Sequence, residues 1–167
     1  DAPRLDLKPR PLFESDELAF LKTHYYGGIK KYQWLAIPLA LHGILIKPDG
    51  TTIKIAIGEN PDDPVFTIAD LLPHLAKDQR EKKMSEATKG ENLNALAASR
   101  PEDDKDVKNP VKEYLLKMLQ EKYNIEEDDF TSAELELVPA LPARDVGLDR
   151  SMTGAYGQDD RVCAFTS

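Results

Sequence analysis

Apolar and polar residues alternate with a period of two over several stretches of this chain and with a period near 3.6 over one. Leu5 and Leu7 alternate with Asp6 and Lys8 before Pro9 and Pro11, which predicts a short edge strand ending near Phe13. Ser15-Asp16-Glu17 ahead of the apolar residues 18–21 predicts a helix start, with Ser15 as cap and two acids near the positive end; Tyr25-Tyr26-Gly27-Gly28 breaks it. Residues 32–37 and 39–46 are together rich in aromatic and branched residues and read as strands, with Pro38 as a bend or edge between them. Pro48-Asp49-Gly50 supplies a turn, and Ile53, Ile55 and Ile57 then alternate with Thr52, Lys54 and Ala56, which predicts a β-hairpin. Residues 65–68 read as a short strand. Asp70 is placed to cap a short helix through Leu71, Leu72 and Leu75 that runs into charged residues 77–83.

Residues 84–100 lack clear periodicity, with Leu93 and Leu96 suited to a weak strand, and residues 101–108 read as a charged loop. Asn109-Pro110 predicts a helix start, cap followed by proline at the first helical position. Val111, Leu115, Met118 and Leu119 form one apolar stripe, and Asn124 is a left-handed stop. After acidic residues 126–129, Ala133, Leu135 and Leu137 alternate with Glu134 and Glu136, a half-buried strand. Residues 139–157 are too irregular for a regular element. The fold class expected is α+β and β-rich: antiparallel strands and hairpins with a few packed helices.

Composition narrows the function. The 167 residues carry 22 Lys and Arg against 30 Asp and Glu, a net charge of −8, which disfavours a sequence-blind nucleic-acid binder and an anionic membrane surface. With 41% hydrophobic and 31% charged residues the chain is globular in type, and no apolar run approaches a bilayer span. The lone Cys163 excludes an internal disulfide framework and makes a reducing cytoplasm the default compartment. The chain opens on Asp1 without signal-peptide features and closes on apolar residues 162–165, so it is expected to be a piece of a longer protein.

Candidate chemistry is sparse. His24, His42 and His74 sit in no His-x-x-x-His or Cys-x-x-Cys setting, so the chain alone closes no zinc site, and each suits a structural or surface histidine. Cys163, in an apolar setting, suits packing rather than nucleophilic attack. Gly157-Gln158-Asp159-Asp160-Arg161 differs, because two adjacent carboxylates head an apolar segment and need compensation by a metal or by Arg161. On spacing alone the first turn of a helix, with the acids at its positive end, is the favoured reading. A carboxylate-pair glycosidase is poorly served by adjacent residues.

Four stretches in order, Asp1-Ala2-Pro3-Arg4-Leu5-Asp6-Leu7-Lys8-Pro9, Tyr25-Tyr26-Gly27-Gly28, Asp70-Leu71-Leu72-Pro73-His74-Leu75 and Gly154-Ala155-Tyr156-Gly157-Gln158-Asp159-Asp160-Arg161-Val162-Cys163-Ala164, resemble the aspartyl aminopeptidase and aminopeptidase I family of zinc exopeptidases. The resemblance implies a β-rich domain inserted into an α/β zinc-peptidase catalytic domain that is mostly absent here: residues 1–13 as an edge of that domain, 14–144 as the inserted oligomerisation domain and 145–167 as the return. It implies two divalent metal ions, of the zinc type, and N-terminal residues of peptides as substrate. An acidic preference is one alternative, although Gln158-Asp159-Asp160-Arg161 is more similar to the bacterial and vacuolar branches than to an Arg-Leu-Asp-Asn version.

By the same resemblance, Asp1 matches the Asp of a His-x-Asp motif, orienting a metal-bound histidine two positions upstream. Asp159 matches the carboxylate that bridges two metals, chosen over Asp160 by the alignment of Cys163-Ala164-Phe165; Asp160 becomes its neighbour behind the metal. His74 matches a histidine that reaches a neighbouring subunit's active site and helps bind substrate, which makes a homo-oligomer the expected state. The general base and remaining ligands would lie past Ser167, so this chain alone is expected to be inactive. The rival is a non-enzymatic self-association module of an inactive relative.

Overall fold

The structure, a computed structural model, describes residues 2–104 and 106–167. Strand β1 (Arg4–Ser15) turns straight back into β2 (Leu18–Tyr26), with Ser15 opposite Leu18. Asp16 and Glu17 sit at φ 52° and 61°, the left-handed pair of a two-residue hairpin turn. The helix expected at Ser15 is therefore a strand. Ala19, Leu21 and Thr23 point into the core while Lys22 and His24 point out, a period of two that Phe20 obscures because it stacks on Phe13 across the hairpin at 5.3 Å.

β1 is also not an edge strand. The sheet order is β4-β3-β6-β1-β2-β5, built from β3 (Leu39–Ile46), β4 (Thr52–Ile57), β5 (Ala95–Ala98) and β6 (Ala133–Pro139), all antiparallel. β1 pairs with β6 only at Leu5 and Asp6, and its register with β2 shifts between Leu7 and Leu12. Pro9 and Pro11 fall in that shifted stretch, where a missing N–H interrupts no ladder. β1 runs through the boundary expected at residue 13 and belongs to the sheet of the residues that follow.

The hairpin β3/β4 forms as its sequence predicts, closed by Thr51 N donating to Asp49 Oδ1 at 2.8 Å and by Gly50 at φ +86°. β6 alternates as predicted, Leu135 and Leu137 buried and Glu134 and Glu136 on the outer face. Gly43 faces Leu135, and a Cβ there would meet the Glu134 carbonyl oxygen at 1.9 Å, so the two strands approach as only glycine permits. Residues 32–37 do not form a strand: Lys31–Trp34 is a 3-10 turn that buries Trp34, and Leu35 makes a single bridge to Ile68. Residues 65–68 likewise contribute isolated bridges rather than a strand.

Short helices α1 (Lys77–Arg80) and α2 (Met84–Ala87) precede β5, and the longer α3 (Pro110–Tyr123) contributes Val111 and Leu115 to the buried core that also holds Leu5, Leu93 and Leu137. Met118, expected in the same stripe, is exposed. Asn109 is left-handed and makes no side-chain cap; the Lys112 N–H is instead accepted by Glu14 Oε2 at 2.9 Å, which ties the helix to β1. Asn124 ends the helix in the left-handed region as predicted. The helix expected through Leu71, Leu72 and Leu75 is absent; Asp70 Oδ1 accepts the Leu71 N–H at 2.8 Å and Gln79 Nε2 at 3.2 Å instead of capping a helix there. Residues 139–157, expected to be irregular, contain a hairpin of β7 (Arg144–Val146) and β8 (Met152–Gly154), and helix α4 (Gln158–Thr166) follows. Among the described residues no helix is long and apolar enough to cross a membrane.

Leu137 is fully buried where β6 meets both β1 and β3. Leu137→Ala is expected to lower the unfolding free energy by about 2–5 kcal/mol; urea denaturation followed through Trp34, the single tryptophan, measures it.

Candidate functional site

The acidic pair lies at the start of α4, but not as helical residues. Asp159 is extended at φ −62°, ψ 139°, and Asp160 is left-handed at φ 65°, ψ −39°. The first-turn alternative for these acids therefore gives way to a kink. Asp159 Oδ1 accepts the Asp160 N–H at 2.8 Å, which holds the turn closed, and both residues are exposed. Gly157 enters at φ +77°, and Gln158 Nε2 donates to the Thr153 carbonyl at 2.6 Å, fixing the kink against β8. Positive φ at a non-glycine residue costs on the order of 1 kcal/mol, and such strain collects at functional sites.

A cleft of about 1100 Å³ opens beside this turn and is bounded by Arg4, His42, Glu59, Glu136, Tyr156 and Asp159. Asp6, His42 and Glu136 stand side by side on the outer face of the sheet because they are register partners across β1, β6 and β3. Arg4 Nε reaches Asp6 Oδ1 at 2.7 Å and Glu136 Oε2 at 2.9 Å, and its guanidinium lies 4.2 Å over the Tyr26 ring. The hydrogen bond to Asp6 raises the Arg4 pKa further above its ordinary value, and a guanidinium is a permanent cation in any case. His42 Nε2 meets Glu59 Oε1 at 2.7 Å, the satisfied structural role expected of that residue. Tyr156 Oη donates to the Pro3 carbonyl at 2.7 Å, and burial together with the Glu136 charge raises its pKa above the usual tyrosine value.

Asp159 and Asp160 thus share the cleft. Asp1 lies outside the described residues. His74 is exposed on a turn closed by Leu75 N to Leu72 O at 2.9 Å, and it does not line the cleft. His24 is exposed and stacks on Tyr25. Cys163 is exposed, not packed, and Val162 and Phe165 are 58% and 90% exposed, so the apolar segment behind the acids is not buried by the described residues. Tyr156, Arg4 and Glu136 line the cleft without any sequence pattern that marks them for a role. Tyr156 falls inside a recognised stretch, but its partner is 153 residues away and leaves no local signal.

The donor chemistry fits a zinc ion in part. Carboxylate oxygens ligate zinc, and Asp159 presents one from an exposed, geometrically fixed turn. Among the described residues no group of three or more His, Cys, Asp or Glu is arranged to hold a metal, so these residues would contribute one side of a site and not a closed one.

The family model described as aminopeptidase I zinc metalloprotease (M18) matches residues 1–167. A probable M18 family aminopeptidase 1 of Clostridium acetobutylicum is 58% identical over 167 residues, all of this chain and 36% of that protein. The crystal structure of the M18 aminopeptidase of Thermotoga maritima superposes with a TM-score of 0.94 at 58% identity, over 99% of this chain and 36% of that one. The Saccharomyces cerevisiae mApe1 dodecamer has the same fold, with a TM-score of 0.62 at 21% identity over 99% of this chain and 35% of that one. The chain therefore spans about a third of the length of the relatives it matches.

One wall of the cleft is set by Asp63, whose Oδ2 accepts the N–H groups of Gly58 and Asn60 at 3.2 and 3.1 Å. These bonds, Asn60 first, lower its pKa from the ordinary 3.8. A depressed folded-state value means that the stabilisation is present above the ordinary aspartate pKa and is lost as pH falls through the folded one. In NMR titrations the Gly58 and Asn60 amide shifts are expected to move with a midpoint below that of an ordinary aspartate, and the step is expected to vanish in Asp63→Asn.

Proposed function

The chain belongs to the aminopeptidase I zinc metalloprotease (M18) family, and on that premise we propose that the protein it is part of is a metalloaminopeptidase that removes N-terminal residues from peptides. The observation that carries the reading is the exposed Asp159-Asp160 kink on the wall of the cleft. In this proposal Asp159 is the carboxylate shared between two zinc ions. Asp160 fixes it from behind through its N–H, and Asp1 orients a histidine ligand. Bound zinc would polarise the scissile carbonyl and activate water. Asp159 contributes lone pairs and negative charge, and Arg161, which also borders the cleft, offsets the second carboxylate. Which N-terminal residue is preferred, acidic or neutral, is left to a panel of aminoacyl substrates.

The proposed organisation is residues 1–13 and 145–167 as edges of a catalytic domain around an inserted domain of residues 14–144, with β1 crossing the first boundary into the inserted sheet. Val162 and Phe165 are then covered by the catalytic domain. Leu71, Leu72 and Leu75, each more than half exposed around His74, form the surface proposed for assembly with other copies. There His74 meets the substrate of a neighbouring subunit. The compartment proposed is the reducing cytoplasm, in which the exposed Cys163 stays a thiol.

In the full-length protein, Asp159→Asn is expected to abolish zinc retention and to lower kcat/KM by at least about a thousandfold, roughly 4 kcal/mol; retention of both activity and metal overturns the reading. Light scattering is expected to show an oligomer that Leu72→Asp shifts toward monomer. His74→Ala is expected to raise KM several-fold in the oligomer, measured by initial rates.

A further inference from the structure

Two segments that are distant in sequence approach each other at the cleft: Ala2-Pro3, which leads into β1, and Ala155 to Asp159, which leads into α4. The bond between Tyr156 Oη and the Pro3 carbonyl oxygen, 2.7 Å long, joins them across 153 residues. Both of its ends are held. Pro3 has its φ fixed by its ring and precedes Arg4, whose side chain is locked by Asp6, Glu136 and the Tyr26 ring. Tyr156 lies between the hairpin β7/β8, on which Gln158 is anchored through Thr153, and the left-handed Gly157. A phenol suits this span: its donor sits at the end of a rigid ring with two torsions, so the bond costs little side-chain entropy and tolerates little sliding. A tyrosine hydroxyl is protonated, and so a donor, at neutral pH, and partial desolvation and the Glu136 charge shift this one further the same way.

We propose that Tyr156 is a positioning residue for the metal site, its hydroxyl setting the spacing between the segment that carries Asp159 and the segment that enters β1, so that ligands from the two ends of the inserted domain converge. Asp159 follows Tyr156 by three residues, and the kink at Asp159-Asp160 fixes its direction once Tyr156 is anchored. Loss of the hydroxyl removes one bond from an exposed position and no apolar contact, so global stability changes little while ligand spacing loosens. The inference rests on Asp159 being a metal ligand.

The test is Tyr156→Phe in the full-length protein, read by zinc loss to a chelator and by the melting temperature of the metal-free form, with Asp159→Asn in parallel. Tyr156→Phe is expected to weaken zinc retention about tenfold, the size of effect typical of groups that orient ligands from behind, with the metal-free melting temperature unchanged. Wild-type zinc retention in Tyr156→Phe, with zinc lost in Asp159→Asn, overturns the positioning role and leaves the metal reading standing. A metal-free melting temperature that falls in step with zinc retention assigns the bond to ordinary stability and also overturns it. Zinc retained by Asp159→Asn overturns the metal reading and the positioning role together.

Discussion

The pairing of β6 with β1 on one side and β3 on the other is the constraint on which this structure depends. Each of the flanking pieces, β3 with β4 and β1 with β2 and β5, is a hairpin or small meander that buries too little by itself to be stable in water. β6 joins them into one sheet and carries Leu135 and Leu137 into the middle of the apolar face, where α3 closes the core. The same strand turns Glu136 outward, so the element that unites the core also sets the anion that holds Arg4 at the cleft. Alternation makes these two roles inseparable, since a one-residue slip of β6 would put Glu136 inside and Leu137 outside.

The parts of the fold legible in the sequence are those whose information is local. Pro48-Asp49-Gly50 between alternating residues specifies the β3/β4 hairpin, the alternation of residues 133–137 specifies β6, and the stripe from Val111 with Pro110 ahead of it specifies α3. The remaining elements depend on partners elsewhere in the chain. Asp16-Glu17 has the composition of a helix start and lacks the glycine of a tight hairpin turn, and only the pairing of β1 with β2 decides between them. Pro9 and Pro11 suggested an edge because prolines break ladders, whereas the irregular register of an interior strand accommodates them. The cap of α3 comes from Glu14, 98 residues from Lys112, and no pattern near Asn109 announces it.

The candidate site divides in the same way. Asp159 and Asp160 stood out as adjacent charges ahead of an apolar run, and both line the cleft. Their conformation, extended then left-handed, is not encoded by any residue type there; it follows from anchoring at Gln158 and from the N–H that Asp159 accepts. Tyr156 and Arg4 gain meaning only when strand pairing brings the start of β1 beside the end of β6 and the turn into α4.

The contact of Pro3 with Tyr156 has one more consequence, in the entropy of the chain between them. A segment whose two ends touch is a closed loop, and the cost of closing a loop grows only as the logarithm of its length. At a separation of 153 residues, adding or deleting some 20 residues within it changes that cost by only about 0.1 kcal/mol. Everything from β1 to β8 can therefore lengthen, shorten or be exchanged with almost no entropic effect on how the two ends meet, provided the sheet still closes around β6.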